Sequence, residues 1–225
     1  MSKSQSTERI ATEAGRSENP DRITFLATQQ PNRKPPMSIS KIHDGWLLAA
    51  RRLPSTNCDP RPADTAINLL VIHNISLPPG EFGGTAIEDL FLNRLKRERH
   101  PYFAKIHDLR VSAHLLIDRH GDITQFVPFD LRAWHAGVSC YDDRECCNDF
   151  SIGIELEGTD DTPYTEAQYA ALSATTRALL RHYPHLNPRR IAGHCDIAPG
   201  RKSDPGPAFD WIRYLASLHS HGQGL

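Results

Sequence analysis

The 225-residue chain is 39% hydrophobic and 24% charged, and its 26 lysines and arginines nearly balance 27 aspartates and glutamates. That length suits one domain, or one domain with a tail, burying about 70% of its unfolded surface, and a formal net charge of −1 gives no general reason to expect a nucleic-acid or anionic-membrane partner. The longest apolar run of the core region, Leu69 to Ile72, is far short of the ~20 residues of a membrane span, and the odd set Cys58, Cys140, Cys146, Cys147 and Cys195 reads as free thiols in a reducing compartment.

Residues 1–40 are polar, rich in Ser, Thr, Glu, Asn and Arg, and carry no apolar segment of signal-peptide type. Apart from Ile23–Leu26 they offer little to bury, so a disordered extension is expected there, with Met37 after Lys34-Pro35-Pro36 as an alternative start. The ordered domain is expected over residues 41–219, and residues 220–225 as a short tail. Asp44 to Leu53 reads as a helix carrying Trp46, Leu47 and Ala50 on one side. Pro54 to Pro62 is a Pro/Asn/Asp loop. Ile67 to His73 is a nearly continuous apolar run, the pattern of a strand buried on both faces. The Pro/Gly-rich segment Asn74 to Gly84 follows as a long loop, and Thr85 to Arg97 has helical spacing.

Ala113 to Asp118 and Ile123 to Val127 flank Arg119-His120-Gly121-Asp122, a hairpin signal. Ser151 to Leu156 is a further strand whose alternation puts Glu155 and Glu157 on one side. Thr165-Glu166-Ala167-Gln168 matches a capping box opening a helix, Arg190 to Gly193 is a short strand, and Phe209 to Leu218 a closing helix. Strands interspersed with helices, with at least one hairpin, give an α/β fold: a single domain with a mixed central sheet and helices packed on it. No internal repeat is present.

The sequence contains no Walker A loop, G-x-G-x-x-G, G-x-S-x-G or H-E-x-x-H. What stands out is the placement of polar residues. His73 ends a buried apolar run and His194 ends a second short strand; ligands of open α/β sheets collect at such strand ends. Asp204 follows in a Pro/Gly-braced loop. Any one histidine is ordinarily a packing or surface residue, but two imidazoles and a carboxylate make a His₂Asp set, and three protein ligands with a fourth position open is how catalytic zinc is held. Glu155 is either a solvated strand residue or a general base, and Lys202 either a solvated loop lysine or the cation that meets an oxyanion.

Five stretches resemble the AmpD-type N-acetylmuramoyl-L-alanine amidases: Val71 to Gly84, Leu109 to His114, Arg132 to Gly137, Asn148 to Gly158, and Gly193 to Gly206. The match runs from about Asp44 to Leu218 with the motifs in order. The wider family includes phage amidases and animal peptidoglycan recognition proteins, which share a mixed sheet with helices on it. The resemblance implies a zinc hydrolase that cuts the amide between the lactyl group of N-acetylmuramic acid and L-alanine. The AmpD branch acts in the cytoplasm on 1,6-anhydro-muropeptides during cell-wall recycling and so limits induction of certain β-lactamases. Residue by residue, it puts one Zn²⁺ on His73, His194 and Asp204, the general base on Glu155 and oxyanion stabilisation on Lys202. It puts muropeptide contacts on Asn74, Arg110 and Arg201. The expected partner is the muropeptide alone, bound by a monomer, with neither nucleic acid nor membrane involved. The alternative is a non-catalytic muropeptide-binding module of the same fold. Asp196, beside His194 and Cys195, is a weak competitor as ligand, and Cys195 is expected to pack rather than react.

Overall fold

The longest apolar runs of the chain, as expected, become the centre of a sheet. The computed structural model describes residues 41–219; the extension expected over residues 1–40, including Ile23–Leu26, and the tail over residues 220–225 lie outside the described residues. In chain order the elements are β1 (Ile42–His43), β2 (Trp46–Leu47), β3 (Arg51–Arg52), β4 (Cys58–Pro60), β5 (Leu69–Ile75), α1 (Ala86–Phe91), α2 (Phe103–Ile106), β6 (Leu115–Ile117), β7 (Ile123–Gln125), β8 (Leu131–Ala133), β9 (Cys140–Tyr141), β10 (Arg144–Glu145), β11 (Ser151–Glu157), α3 (Glu166–His182), β12 (Ile191–Gly193), α4 (His194–Ile197) and α5 (Trp211–His219).

The main sheet has the order β12-β5-β11-β6-β7-β3. β12, β5, β11 and β6 run parallel, β7 returns antiparallel after the 119–122 turn, and β3 pairs parallel with β7 at the edge. This is the mixed sheet read from the sequence. Because side chains alternate across a strand, the two faces divide cleanly. Leu70, Ile72, Ile152, Ile154, Leu156, Leu115 and Ile117 pack with Tyr169, Leu172 and Leu179 of α3 and Tyr214 of α5. The opposite face carries Leu69 and Val71, packed on Phe150 and Ile197, and the polar side chains His73 and Glu155.

Two local expectations differ from the structure. The helix expected over Asp44 to Leu53 is instead the β1–β2 hairpin followed by edge strand β3. Asp44 and Gly45 make its turn with φ of 50° and 73°, and a Cβ at Gly45 would lie 2.8 Å from Asp130 Oδ2 and 3.1 Å from the Phe129 backbone N, so the left-handed turn and the close approach of the 128–130 segment favour glycine. The helix expected over Thr85 to Arg97 stops at Phe91, where Asn93 takes φ 58° and turns the chain. α3 begins as expected: Thr165 Oγ1 accepts from the Gln168 N–H at 3.1 Å and Gln168 Oε1 from the Thr165 N–H at 3.1 Å. Gln168 Nε2 also donates to the Glu157 carbonyl at 2.9 Å, tying the helix start to the end of β11. No helix among the described residues is long and apolar enough to cross a membrane.

Candidate active site

β5 and β11 are paired in a register that sets His73 opposite Glu155, so both side chains emerge on the same face. β12 pairs with β5 through Gly193 opposite Ile72, and His194, one residue on, opens α4 beside His73. Asp204 reaches the same point from the loop after α4, where its carbonyl accepts the Cys195 N–H at 2.9 Å. The three side chains meet closely. His73 Nδ1 lies 2.9 Å from His194 Nδ1 and 3.2 Å from Asp204 Oδ2, which is 3.0 Å from His194 Nδ1. All three residues are buried, and they form the one cluster able to hold a metal among the described residues.

The electrostatics suit a cation. Burial pushes the His73 imidazole down to about 4, so it is neutral near pH 7 and presents a lone pair. Burial works against the Asp204 carboxylate, yet the adjacent His194 and His73 rings hold it well below the ordinary carboxylate range. The outer nitrogen of His194 is 3.0 Å from the Ala136 carbonyl, which can only accept, so its proton sits there and not on Nδ1 in the neutral ring. Two ring lone pairs and a carboxylate converging this tightly repel one another unless a cation neutralises them. Two imidazoles and one oxygen donor fit Zn²⁺ and leave a position for substrate or water.

His194 and Asp204 line a cleft of about 350 Å³ together with Asn74, Trp134, His135, Glu155 and Lys202, and His73 is buried against them. Glu155 is buried, and its Oε2 has no hydrogen-bond partner. Burial drives its carboxyl well above the ordinary value, Asp204 adding to the effect and Lys202 opposing it. A larger cavity of about 660 Å³ lies beyond the 82–84 segment, but its charged groups are engaged elsewhere: Arg51 pairs with Glu88, and Glu157 accepts the Gly83 and Arg119 N–H groups at 2.5 and 3.2 Å.

The structure thus brings His194, Asp204, Glu155 and Lys202 into one cleft, with His73 buried against the first two. Asn74 also lines it, though its amide donates to Asp160 Oδ1 at 2.8 Å. Arg201 directs its guanidinium to the Ala136 and Val138 carbonyls, each at 2.6 Å. Arg110 is exposed, beside the cleft-lining Leu109 and Val111, and donates to the Asp108 carbonyl at 3.3 Å. Asp196 turns away from the cluster, its carboxylate accepting the Gly193 N–H at 2.7 Å. Burial, with Asp196 nearby, raises the Cys195 thiol, which makes it a poor nucleophile. Sequence reasoning gave no role to His135, whose partly buried ring contacts His73; a histidine two residues after β8, in Trp134-His135-Ala136-Gly137, was the available signal.

Comparison with known proteins places these features in a lineage. Residues 63–207 match the family model described as N-acetylmuramoyl-L-alanine amidase. The chain is 62% identical to the 1,6-anhydro-N-acetylmuramyl-L-alanine amidase AmpD of Escherichia coli K12, over 77% of this chain and 94% of that protein. A crystal structure of a selenomethionine derivative of AmpD superposes with a TM-score of 0.77 at 60% identity, covering 79% of this chain and 99% of the other. E. coli AmiD, solved with its substrate anhydro-N-acetylmuramic acid-L-Ala-D-γ-Glu-L-Lys, matches at 31% identity with a TM-score of 0.50, over 70% of this chain and 60% of that one.

Proposed function

Since the chain belongs to the N-acetylmuramoyl-L-alanine amidase family, we propose that it is a zinc amidase that hydrolyses the lactyl–L-alanine amide of 1,6-anhydro-muropeptides in cytoplasmic cell-wall recycling, thereby limiting β-lactamase induction. The observation that carries this reading is the convergence of His73, His194 and Asp204 beside a cleft that also holds Glu155 and Lys202. The similarity to AmpD and to AmiD, a protein solved with an anhydro-muramyl peptide, supports the substrate class.

Zinc held by His73, His194 and Asp204 would supply Lewis acidity to the attacking water and to the lactyl carbonyl. The chain's own groups manage protons and charge. Glu155 takes a proton from the water as its oxygen bonds to the carbonyl carbon, and returns it to the alanine nitrogen as the C–N bond breaks. Its burial favours the protonated form, which suits a group that must keep the proton between those two moments. Lys202, on the rim of the same cleft, presents an ammonium to the negative charge growing on the carbonyl oxygen. The products are the muramyl carboxylic acid and the free stem peptide, so atoms balance with one water consumed.

The binding-module alternative is disfavoured by Glu155. A buried carboxylate oxygen without a partner costs stability, and a protein that only binds gains nothing from keeping it. The test follows anhydro-muropeptide and ordinary muropeptide in one tube by mass spectrometry, with zinc and with chelator. We expect about one zinc per chain, activity lost on chelation and restored by zinc, and faster consumption of the anhydro form. Equal consumption would keep the amidase and remove the recycling assignment; intact substrates in the presence of zinc would favour the binding module.

A further inference from the structure

The outer nitrogens of the two cluster imidazoles end on consecutive residues of one segment. His73 Nε2 is 2.9 Å from His135 Nδ1, and His194 Nε2 is 3.0 Å from the Ala136 carbonyl. Behind His135 the network continues in one direction. Ser151 Oγ donates its only proton to the Cys147 carbonyl at 2.5 Å, so it accepts from His135 Nε2 at 3.1 Å. His135 Nδ1 is then a lone pair that accepts from His73 Nε2–H. His73 Nδ1, in turn, carries no proton and points at His194 and Asp204. The partners of the two outer nitrogens therefore favour, in both cluster rings, the tautomer that leaves Nδ1 free for a metal.

The segment itself is fixed. Asn148 Oδ1 accepts both the His135 N–H at 3.1 Å and the Ala136 N–H at 2.8 Å, using the two lone pairs of a single carbonyl oxygen. Arg201 grips the Ala136 and Val138 carbonyls from the other side. The His135 ring lies against Gly153 so closely that a Cβ there would collide with it.

We propose that the His135–Ala136 segment, pinned by the Asn148 side chain, is a bracket that aims both imidazoles at the metal, making His135 and Asn148 positioning residues for zinc affinity. This rests on the reading that His73, His194 and Asp204 hold zinc. Outer-shell partners of ligating histidines are typically worth 10- to 100-fold in metal affinity.

The experiment measures zinc affinity of the full chain by competition with a chromophoric chelator, alongside the melting temperature of each zinc-free variant. His135→Phe, which keeps the ring's bulk but not its acceptor, and Asn148→Ala should bind zinc roughly 10- to 100-fold more weakly. Asn148→Asp keeps a two-lone-pair oxygen and should stay within a few-fold of the parent, a rescue that mere packing would not give. A second measurement uses the unaltered zinc-free protein, so it stands even where a variant fails to fold: ring ¹⁵N shifts should show His73 and His135 protonated at Nε2. If the parent binds zinc while His135→Phe and Asn148→Ala bind it equally well, or if His135 carries its proton on Nδ1, the bracket is overturned and the metal site survives. If the parent itself binds no zinc, the metal reading fails and takes the bracket with it.

Discussion

Two glutamates on β11, Glu155 and Glu157, share a face and a burial class, and their partners separate them. Glu155 Oε2 has none, whereas both oxygens of Glu157 accept backbone N–H groups, from Gly83 and Arg119. Removing the charge at each should therefore have opposite effects. Glu155→Gln should keep zinc and a melting temperature at or above the parent's, because an unpaired buried carboxylate is lost, while turnover falls by roughly 10²- to 10⁴-fold. Glu157→Gln must turn an NH₂ toward one of two N–H donors, leaving that donor unsatisfied at a cost of about 1–3 kcal/mol. For a domain of this size that lowers the melting temperature by roughly 2–10 °C, and turnover should stay within a few-fold. Melting curves and steady-state kinetics on the two variants decide the matter; the reverse pattern would exchange their roles.

At the scale of elements, the start of α3 is where local sequence and tertiary structure agree most directly. Thr165 caps the helix and also donates to the Arg119 carbonyl at 2.9 Å, joining α3 to the β6–β7 turn. Thr165→Ala loses both bonds and should cost about 1–2 kcal/mol in urea denaturation, while Thr165→Ser should retain most of it; equal losses would mean that the methyl group, not the hydroxyl, matters. The same comparison shows what the sequence makes legible. β5 and β11 announce themselves as apolar runs because both faces are buried, and the capping box is a four-residue signal complete in itself. Residues 44–53 are different: over so few residues an apolar pattern fits either period, and edge pairing of β3 with β7, some seventy residues on, decides the outcome. The site divides likewise. His73 and His194 are visible because each ends an apolar run; the residues alone offered the His₂Asp set with Asp204 and left Glu155 and Lys202 with two readings each, and the resemblance chose among them. His135 was hidden because its partner His73 is 62 residues away and no local pattern links the rings. For Arg201 and Asn74, residue type alone could not reveal that their polar groups are engaged within the protein.

For the whole molecule, buried histidines set an acid limit. His114 is fully enclosed, accepting the Gly153 N–H at 3.0 Å and lying 3.1 Å from the Leu131 carbonyl. Burial, helped by the Arg61 charge, pushes its pKa from 6.5 down to about 3. Below pH 6.5 the unfolded chain takes up a proton there that the folded chain refuses, so stability is full above that pH and declines as pH falls toward 3. The slope from this one ring approaches about 1.4 kcal/mol per pH unit. Urea melts at pH 7, 6 and 5 should show the decline, and His114→Asn, if folded, should remove about one proton's worth of slope; pH-independent stability over that range would mean that the ring is protonated in the fold. The pairing of β5 with β11 has a consequence of another kind. His73 faces Glu155 only while the two strands keep their present phase, and a shift of one residue on either strand would send one of the two side chains into the α3 layer. A misphased copy would therefore lose its activity outright instead of working at a reduced rate, because a slip on β5 takes His73 out of the cluster and a slip on β11 takes Glu155 out of the cleft.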